Sequence, residues 1–303
     1  MRSHTQLLVA ITMALVAVSA AAGPKSADLR VVSFNVLAPL WASPVWYPAD
    51  LDPALLDRAF RRARIQAFLA SVRRDVDIVC LQEVEQAELP FLLSALGNDF
   101  EGGMAVNDEG FWSAWLAGNP WAPNGTAVAV RKTTVANRLF ADLGVSDDGN
   151  HVAAVTGVLA AGGRPVRVFS VHLDSDSTAN RGAELDSLMA QAPPYAGYVD
   201  VVCGDINEDT ITGTAAGIFK RNGYVDVLAS VGNREPTHPF SSTYYASHRW
   251  AIIDHVMVRG AAPVGGDVFD SGLWSISDEL ERIEENFRRV GSDHFPIAGQ
   301  VRP

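Results

Sequence analysis

Residues 198–207 read YVDVVCGDIN, and this short stretch decides what kind of fold the chain can form. From Val199 to Cys203 it is apolar apart from Asp200, short, and rich in β-branched valine, so it predicts a strand. It then stops among Gly204, Asp205 and Asn207, residue types that favour turns. Six more runs share this character: LRVVSFNVL at 29–37, VDIVCLQEV at 76–84, GTAVAVR at 125–131, HVAAVTGVLA at 151–160, RPVRVFSVHL at 164–173 and RWAIIDHVMVR at 249–259. Several are apolar without alternation, the pattern of strands covered on both faces.

Helical patterns lie between some of these runs. Pro53 to Arg74 carries Leu55, Leu56, Phe60, Ile65, Phe68 and Leu69 on one face, and Asn180 to Gln191 forms a second pattern. Strands alternating with helices predict a layered α/β domain. No linker or charge block divides the chain, and 48% hydrophobic against 19% charged residues allows a large core. One domain is therefore expected over residues 23–303, with its body between 28 and 301. Ala38 to Asp50, with Trp41, Trp46 and Tyr47, and Gly102 to Asn124, with Trp112, Trp115 and Trp121, read as long loops. Loops of this length are often functional, but each aromatic taken singly is expected to pack its loop onto the sheets.

The first 22 residues combine Arg2, an apolar run from Leu7 to Val18 and small residues from Ser19 to Ala22. That run falls short of the roughly 20 residues a bilayer span needs, so residues 1–22 predict a signal peptide and a secreted or periplasmic protein. The formal charge is −11; residues 1–22 hold one formal charge, Arg2, so the remainder carries −12. Such a surface repels polyanions. A nucleic acid, nucleotide or phospholipid head group would have to be held locally, by a cation and a few Arg side chains. In an exported protein Cys80 and Cys203 are able to form a disulfide, but both stand in buried strand-like runs, and free thiols are the expectation.

The polar residues that stand out follow or precede apolar strands. Asn35 follows VVSF, Glu83 follows IVCLQ, His172 follows VFSV, Asp205 and Asn207 follow VVCG, Asp254 follows WAII, and Asp293 with His294 precedes FPI. One polar residue at a strand mouth is an ordinary turn former, but this many suggest a shared site. Oxygen donors dominate the set, which suits a hard cation, Mg²⁺ or Mn²⁺, better than Zn²⁺. The chain has no C-x-x-C, H-E-x-x-H, G-x-S-x-G, Walker loop or strand-borne G-x-G-x-x-G, so zinc, serine-hydrolase and dinucleotide chemistry lack support.

Taken in order, SFNVLAP, LQEV, GTAVAVR, SVHLDS, CGDIN, IDHVMV and SDHFPI resemble the successive motifs of the endonuclease/exonuclease/phosphatase superfamily, which includes DNase I-like nucleases, deadenylases, sphingomyelinases and inositol-polyphosphate phosphatases. The matches run from residue 33 to 297, and G-D-x-N followed far downstream by S-D-H-x-P is the specific combination. The resemblance implies a four-layer α/β/β/α sandwich, two mixed β-sheets face to face with helices outside, and a site at one end of the sheets. It makes Glu83 the main metal ligand, helped by Asn35 and Asp293. Asp205 and Asn207, two apart on an extended segment, would point together at the attacking water. His294 would meet the phosphate or take the water's proton, with Asp254 holding its ring and raising its pKa. His172 matches a second phosphate-binding histidine, and Arg181 offers a further cation to a phosphoryl oxygen. Whether Asp205 or His294 is the base stays open.

His151 opens a strand and His255 faces away from Asp254, so both are expected to be structural. His238 and His248 lie near the last site strand without a defined role. The chain lacks the Lys and Arg runs of a duplex-gripping nuclease. The function implied is a secreted phosphodiesterase or nuclease acting as a monomer without a stable protein partner. The alternatives are a phosphatase or lipid phosphodiesterase, and a binding module that has lost catalysis.

Overall fold

The computed structural model describes residues 28–107, 122–146, 149–209, 212–238 and 252–303. The signal peptide expected at 1–22, Trp112, Trp115, Trp121 and His248 lie outside them. Strands β1 (Leu29–Asn35), β2 (Ile78–Glu85), β3 (Phe100–Val106), β4 (Asn124–Arg131), β11 (Ala262–Val268) and β12 (Ile297–Arg302) form one mixed sheet, in the order β11-β12-β1-β2-β4-β3. The second sheet holds β5 (Val135–Gly144), β6 (His151–Leu159), β7 (Pro165–His172), β8 (Val199–Asp205), β9 (Val225–Asp226) and β10 (Asp254–Arg259), in the order β5-β6-β7-β8-β10-β9. The pairs β1–β2 and β7–β8 are parallel, and the other pairs are antiparallel.

Alternation along each strand explains the layering. Val31, Ile78 and Cys80 of the first sheet join Val199, Val201, Cys203, Val256 and Val258 of the second in one core between the sheets. Their neighbours point outward: Val32, Phe34, Val79 and Leu81 meet α1 (Arg58–Val72) and α2 (Leu89–Leu96), through Ile65, Leu69, Leu92 and Leu96. On the far side Phe169, Val171, Val202 and Met257 meet α3 (Thr178–Gln191) and α4 (Thr214–Arg221). Both faces of the central strands are thus covered, which is why their sequences are apolar throughout. Burying one such Val or Leu contributes about 1.5–3 kcal/mol. The result is the four-layer sandwich, completed by the short α5 (Val227–Ser230) and by α6 (Glu279–Val290).

Several sequence expectations change in detail. The Pro53–Arg74 pattern divides, because Asp57 leaves the helix and accepts from Phe60 N (2.9 Å), capping α1 at Arg58 after a 3-10 turn over Pro53–Leu56. The helix expected from Asn180 begins at Thr178, where Ser177 caps it. The supposed loop from Gly102 is a strand as far as Val106, since β4 supplies its backbone partners in continuous register from Phe100↔Arg131 to Val106↔Gly125. Trp41 and Trp46 pack edge-on and belong to an apolar cluster with Leu51, Ile283 and Phe287.

The free-thiol expectation is overturned, for Cys80 and Cys203 are joined in a disulfide with their Cα atoms 6.0 Å apart. Both are fully buried strand residues, as expected. They lie on different sheets and face each other across the core, a relation that neither strand's sequence carries.

Candidate active site

The two parallel strand pairs end at the same edge of the sandwich, and the polar residues singled out above meet there. In the register, Asn35 stands beside Gln82, and Asp205 stands between His172 and Asp254. By alternation Asn35, Asp205 and Asp254 share the faces of Val31, Val201 and Val256, between the sheets.

Glu83 reaches the same space by another route. Its strand neighbours Val79 and Leu81 point outward, and simple alternation would send Glu83 with them. A bulge between Leu81 and Val84, with Glu83 itself at φ 55°, turns the carboxylate inward. A left-handed glutamate is costly backbone, of a kind that concentrates at functional sites. Gly204 of the CGDIN motif is required for a different reason: a Cβ there would stand 1.9 Å from Val171 O.

One atom organises the arrangement. Asp205 Oδ2 has Asn35 Nδ2 at 3.2 Å, His172 Nε2 at 3.6 Å and His294 Nε2 at 3.7 Å. The two histidines stand beyond hydrogen-bond distance, whereas Asn35 also donates to Glu83 Oε1 (2.9 Å), so a single amide ties the two carboxylates together. Glu83 Oε2 accepts from Ala38 N (2.9 Å). His294 Nδ1 bonds Asp254 Oδ2 (2.9 Å), which fixes the ring and turns Nε2 toward Asp205.

Burial opposes a charge on His294. The charges of Asp254, Asp205 and Asp293, with the Asp254 bond, outweigh that and push its pKa up to about 10. Burial and the Glu83 charge push the Asp293 carboxyl up, against His294, the Tyr47 phenol and Arg61.

Asn207 departs from the extended geometry expected of it. The strand ends at Asp205, and Asn207 adopts φ 52°; its N–H donates to Asp205 Oδ1 (2.9 Å) and its Nδ2 to Leu173 O (2.8 Å). Asn207 therefore borders Asp205 through its backbone, and its side chain braces the residue after His172. Arg181 is a larger departure. Its guanidinium donates to Asp174 O (2.9 Å), Ser175 O (3.3 Å) and Thr178 Oγ1 (2.9 Å) and pairs with Glu208 (3.4 Å), so it orders the 174–178 turn in place of presenting a cation to substrate. Asp293 is held by Tyr47, whose hydroxyl donates to Oδ2 (2.9 Å).

Two residues, Tyr47 and Gln82, were not singled out by sequence, and a third, His238, was left without a role. Tyr47 was visible only as one aromatic in a loop. Gln82 links the sheets beneath the site, receiving Ser33 Oγ (3.4 Å) and donating to Ser170 Oγ (3.1 Å), and its signal was its place beside Glu83 in LQEV. His238 packs edge-on against His294, ring centroids 4.8 Å apart, and its ligand atom lies within 4.8 Å of those of Asp293 and His294.

His255 and His151 are structural, as their positions required. His151 Nδ1 pairs with Asp142 (2.6 Å). His255 is buried, with Nδ1 on Asp226 Oδ2 (2.7 Å) and Nε2 near the carbonyls of Ile252 and Glu208. Burial disfavours its charged form, but the bond and charge of Asp226 prevail and raise its pKa above the ordinary 6.5. A raised folded-state pKa stabilises the fold below the unfolded value, and this contribution is lost as pH rises through the folded value. Asp226→Asn should therefore cost most stability at about pH 5.5 and progressively less toward alkaline pH. Urea unfolding of both proteins across that range checks it, and a cost independent of pH would contradict it.

The donor set fits a hard divalent ion. Glu83, Asp205 and Asp254 are buried, Asp293 is partly so, and Asp205, Asp254 and His294 place ligand atoms within 4.8 Å of one another. Glu83 and Asp293 supply carboxylate oxygens and Asn35 an amide oxygen that already accepts from Leu37 N, its Nδ2 being turned to Glu83 and Asp205. The site gathers more carboxylates than cationic groups.

Comparison with known proteins places the fold and the family. No curated protein matches the chain. Solved structures do: an endonuclease/exonuclease/phosphatase from Bacteroides vulgatus is 18% identical, with 91% of this chain and 98% of that one covered and a TM-score of 0.63. A Bacteroides thetaiotaomicron mannosyl-6-phosphatase is 15% identical, covering 90% and 99%, with a TM-score of 0.60. D. rerio TDP2 complexed with a single-strand DNA product is also 15% identical, covering 91% and 100%, with a TM-score of 0.58. At these identities the likenesses establish the fold. The family model of the Endonuclease/Exonuclease/phosphatase family matches residues 32–294, which span every residue of the site described above, and the chain belongs to that family.

Proposed function

We propose that the chain is a secreted or periplasmic, Mg²⁺- or Mn²⁺-dependent phosphodiesterase of the nuclease type, acting as a monomer through one domain over residues 23–303. Members of the family hydrolyse phosphoesters and generally use divalent metals. The observation that carries the reading is the convergence of Asn35, His172 and His294 on Asp205 Oδ2, with Asn35 joined to Glu83.

Glu83, Asn35 and Asp293 would hold the ion, which when bound neutralises a phosphoryl oxygen and the leaving oxyanion. Asp205 orients the attacking water and accepts its proton. His294, protonated in this field of carboxylates and steered by Asp254, donates to a phosphoryl oxygen. His172 flanks Asp205 on its other side and would meet a second phosphoryl oxygen.

A second reading is hydrolysis of a phosphomonoester or a lipid head group. The net charge of −12 outside the leader favours it, because such substrates present less polyanion to an acidic surface. A panel of single-stranded DNA, RNA, bis-p-nitrophenyl phosphate, sphingomyelin and a sugar phosphate, with Mg²⁺ and with excess EDTA, separates the two. Turnover of diesters that stops in EDTA is expected. Full-rate turnover in excess EDTA would refute the cation reading, and no turnover on any substrate would revive the binding module.

A further inference from the structure

Arg61 is 2% exposed, yet its hydrogen bonds run to main-chain carbonyls. Nε donates to Gly291 O (2.9 Å), and Nη2 donates to Val36 O (2.7 Å) and to Leu37 O. Burying a guanidinium is expensive, and although the charges of Asp293, Glu83 and Glu85 favour this cation, its hydrogen bonds are spent on carbonyls. Its position on α1 is explained by the helix period, since Arg61, Ile65 and Leu69 share the face turned to the sheet.

What those carbonyls belong to gives the arrangement its meaning. Val36 and Leu37 follow Asn35; in the same turn Leu37 N donates to Asn35 Oδ1 (3.0 Å) and Ala38 N to Glu83 Oε2 (2.9 Å). Gly291 precedes Ser292, Asp293 and His294, and Ser292 Oγ donates back to Asn35 O (2.6 Å). At Gly291, φ is 76° and a Cβ would stand 2.6 Å from Arg61 O, so the α1 backbone is pressed directly on this turn. One planar fork therefore spans the two turns that carry the oxygen donors.

We propose that Arg61 is a positioning residue for the cation site: by bridging the turn after Asn35 to the turn before Asp293, it sets the spacing of Asn35, Glu83 and Asp293 and so the affinity for the divalent ion. This inference rests on the cation reading of the site. A lysine cannot replace the fork, because a single ammonium is a point donor and does not span diverging carbonyls. Groups that orient metal ligands typically change affinity 10- to 100-fold, which sets the scale.

The test is calorimetric titration of Mn²⁺ into the full chain, without substrate, for wild type, Arg61→Lys and Arg61→Gln, each first shown to melt cooperatively. Both variants should bind Mn²⁺ at least about tenfold more weakly. A folded Arg61→Lys that binds within twofold of wild type overturns the inference alone, since a residue that only supports the fold would lower the melting temperature and leave affinity intact. If neither Arg61 variant folds, Ser292→Ala cuts another tie between the same turns; severalfold weaker binding supports the inference, and unchanged binding overturns it. A wild type that binds no Mn²⁺ overturns the cation reading and this inference together.

Discussion

Glu83→Ala should lower kcat/KM on a phosphodiester by about a thousandfold, because a cation's stabilisation of the developing charge is worth several kcal/mol and about 4 kcal/mol corresponds to that factor. The substitution also leaves Ala38 N without its acceptor and Asn35 Nδ2 with Asp205 alone. Losing a partner for a buried donor costs about 1–3 kcal/mol of stability, so the rate must be measured on protein shown to be folded. Glu83→Gln separates the effects, for it keeps an oxygen for Ala38 N and removes the charge. Its rate should still fall by at least about a hundredfold while stability stays closer to wild type. Steady-state kinetics over a Mg²⁺ series decides the matter. A folded Glu83→Ala enzyme retaining a tenth of wild-type kcat/KM would remove Glu83 from the cation site.

The double substitution Cys80→Ala, Cys203→Ala should destabilise the fold by about 3–5 kcal/mol, since the bond closes a loop with a sequence separation of 123 and longer loops constrain the unfolded chain more. Guanidinium unfolding of wild type, of reduced wild type and of the double variant is the measurement. Reduction removes the bond while keeping both sulfurs, so it isolates the cross-link from the lost side-chain volume. Coincident unfolding midpoints for oxidised and reduced wild type would contradict the prediction. The bond has a local consequence as well. Cys80 lies three residues before Glu83 and Cys203 two before Asp205, so the cross-link ties together the strands whose ends Asn35 bridges. A buried cross-link of this kind is consistent with the proposed export, where disulfides persist.

The seven strands read from sequence are all present, and all but one of the strands that escaped notice share a cause. β3, β5, β9 and β11 are edge strands, and β12 borders one of them. An edge strand is paired on one side only, so its sequence need not be continuously apolar: β5 alternates partly buried and exposed residues, and β11 contains Gly265 and Gly266. α6 went unremarked although Ile283, Phe287 and Val290 line one face, because its charged residues dominate the run.

Local chemistry was thus enough to predict a layered α/β domain and the polar residue types at its strand mouths, because strand period and turn preference are short-range properties, whereas the four-layer arrangement was implied by the family resemblance. Contacts across the sandwich were decided only when the sheets packed: the Cys80–Cys203 bond, Tyr47 on Asp293 and Arg61 between two turns each join residues far apart in the chain. The same holds for Glu83, whose inward turn depends on a bulge opposite β4, and for Arg181, whose charge the 174–178 turn takes up. A side chain's type can be read along one strand, but its partner is set by which other strand or helix the fold brings opposite it.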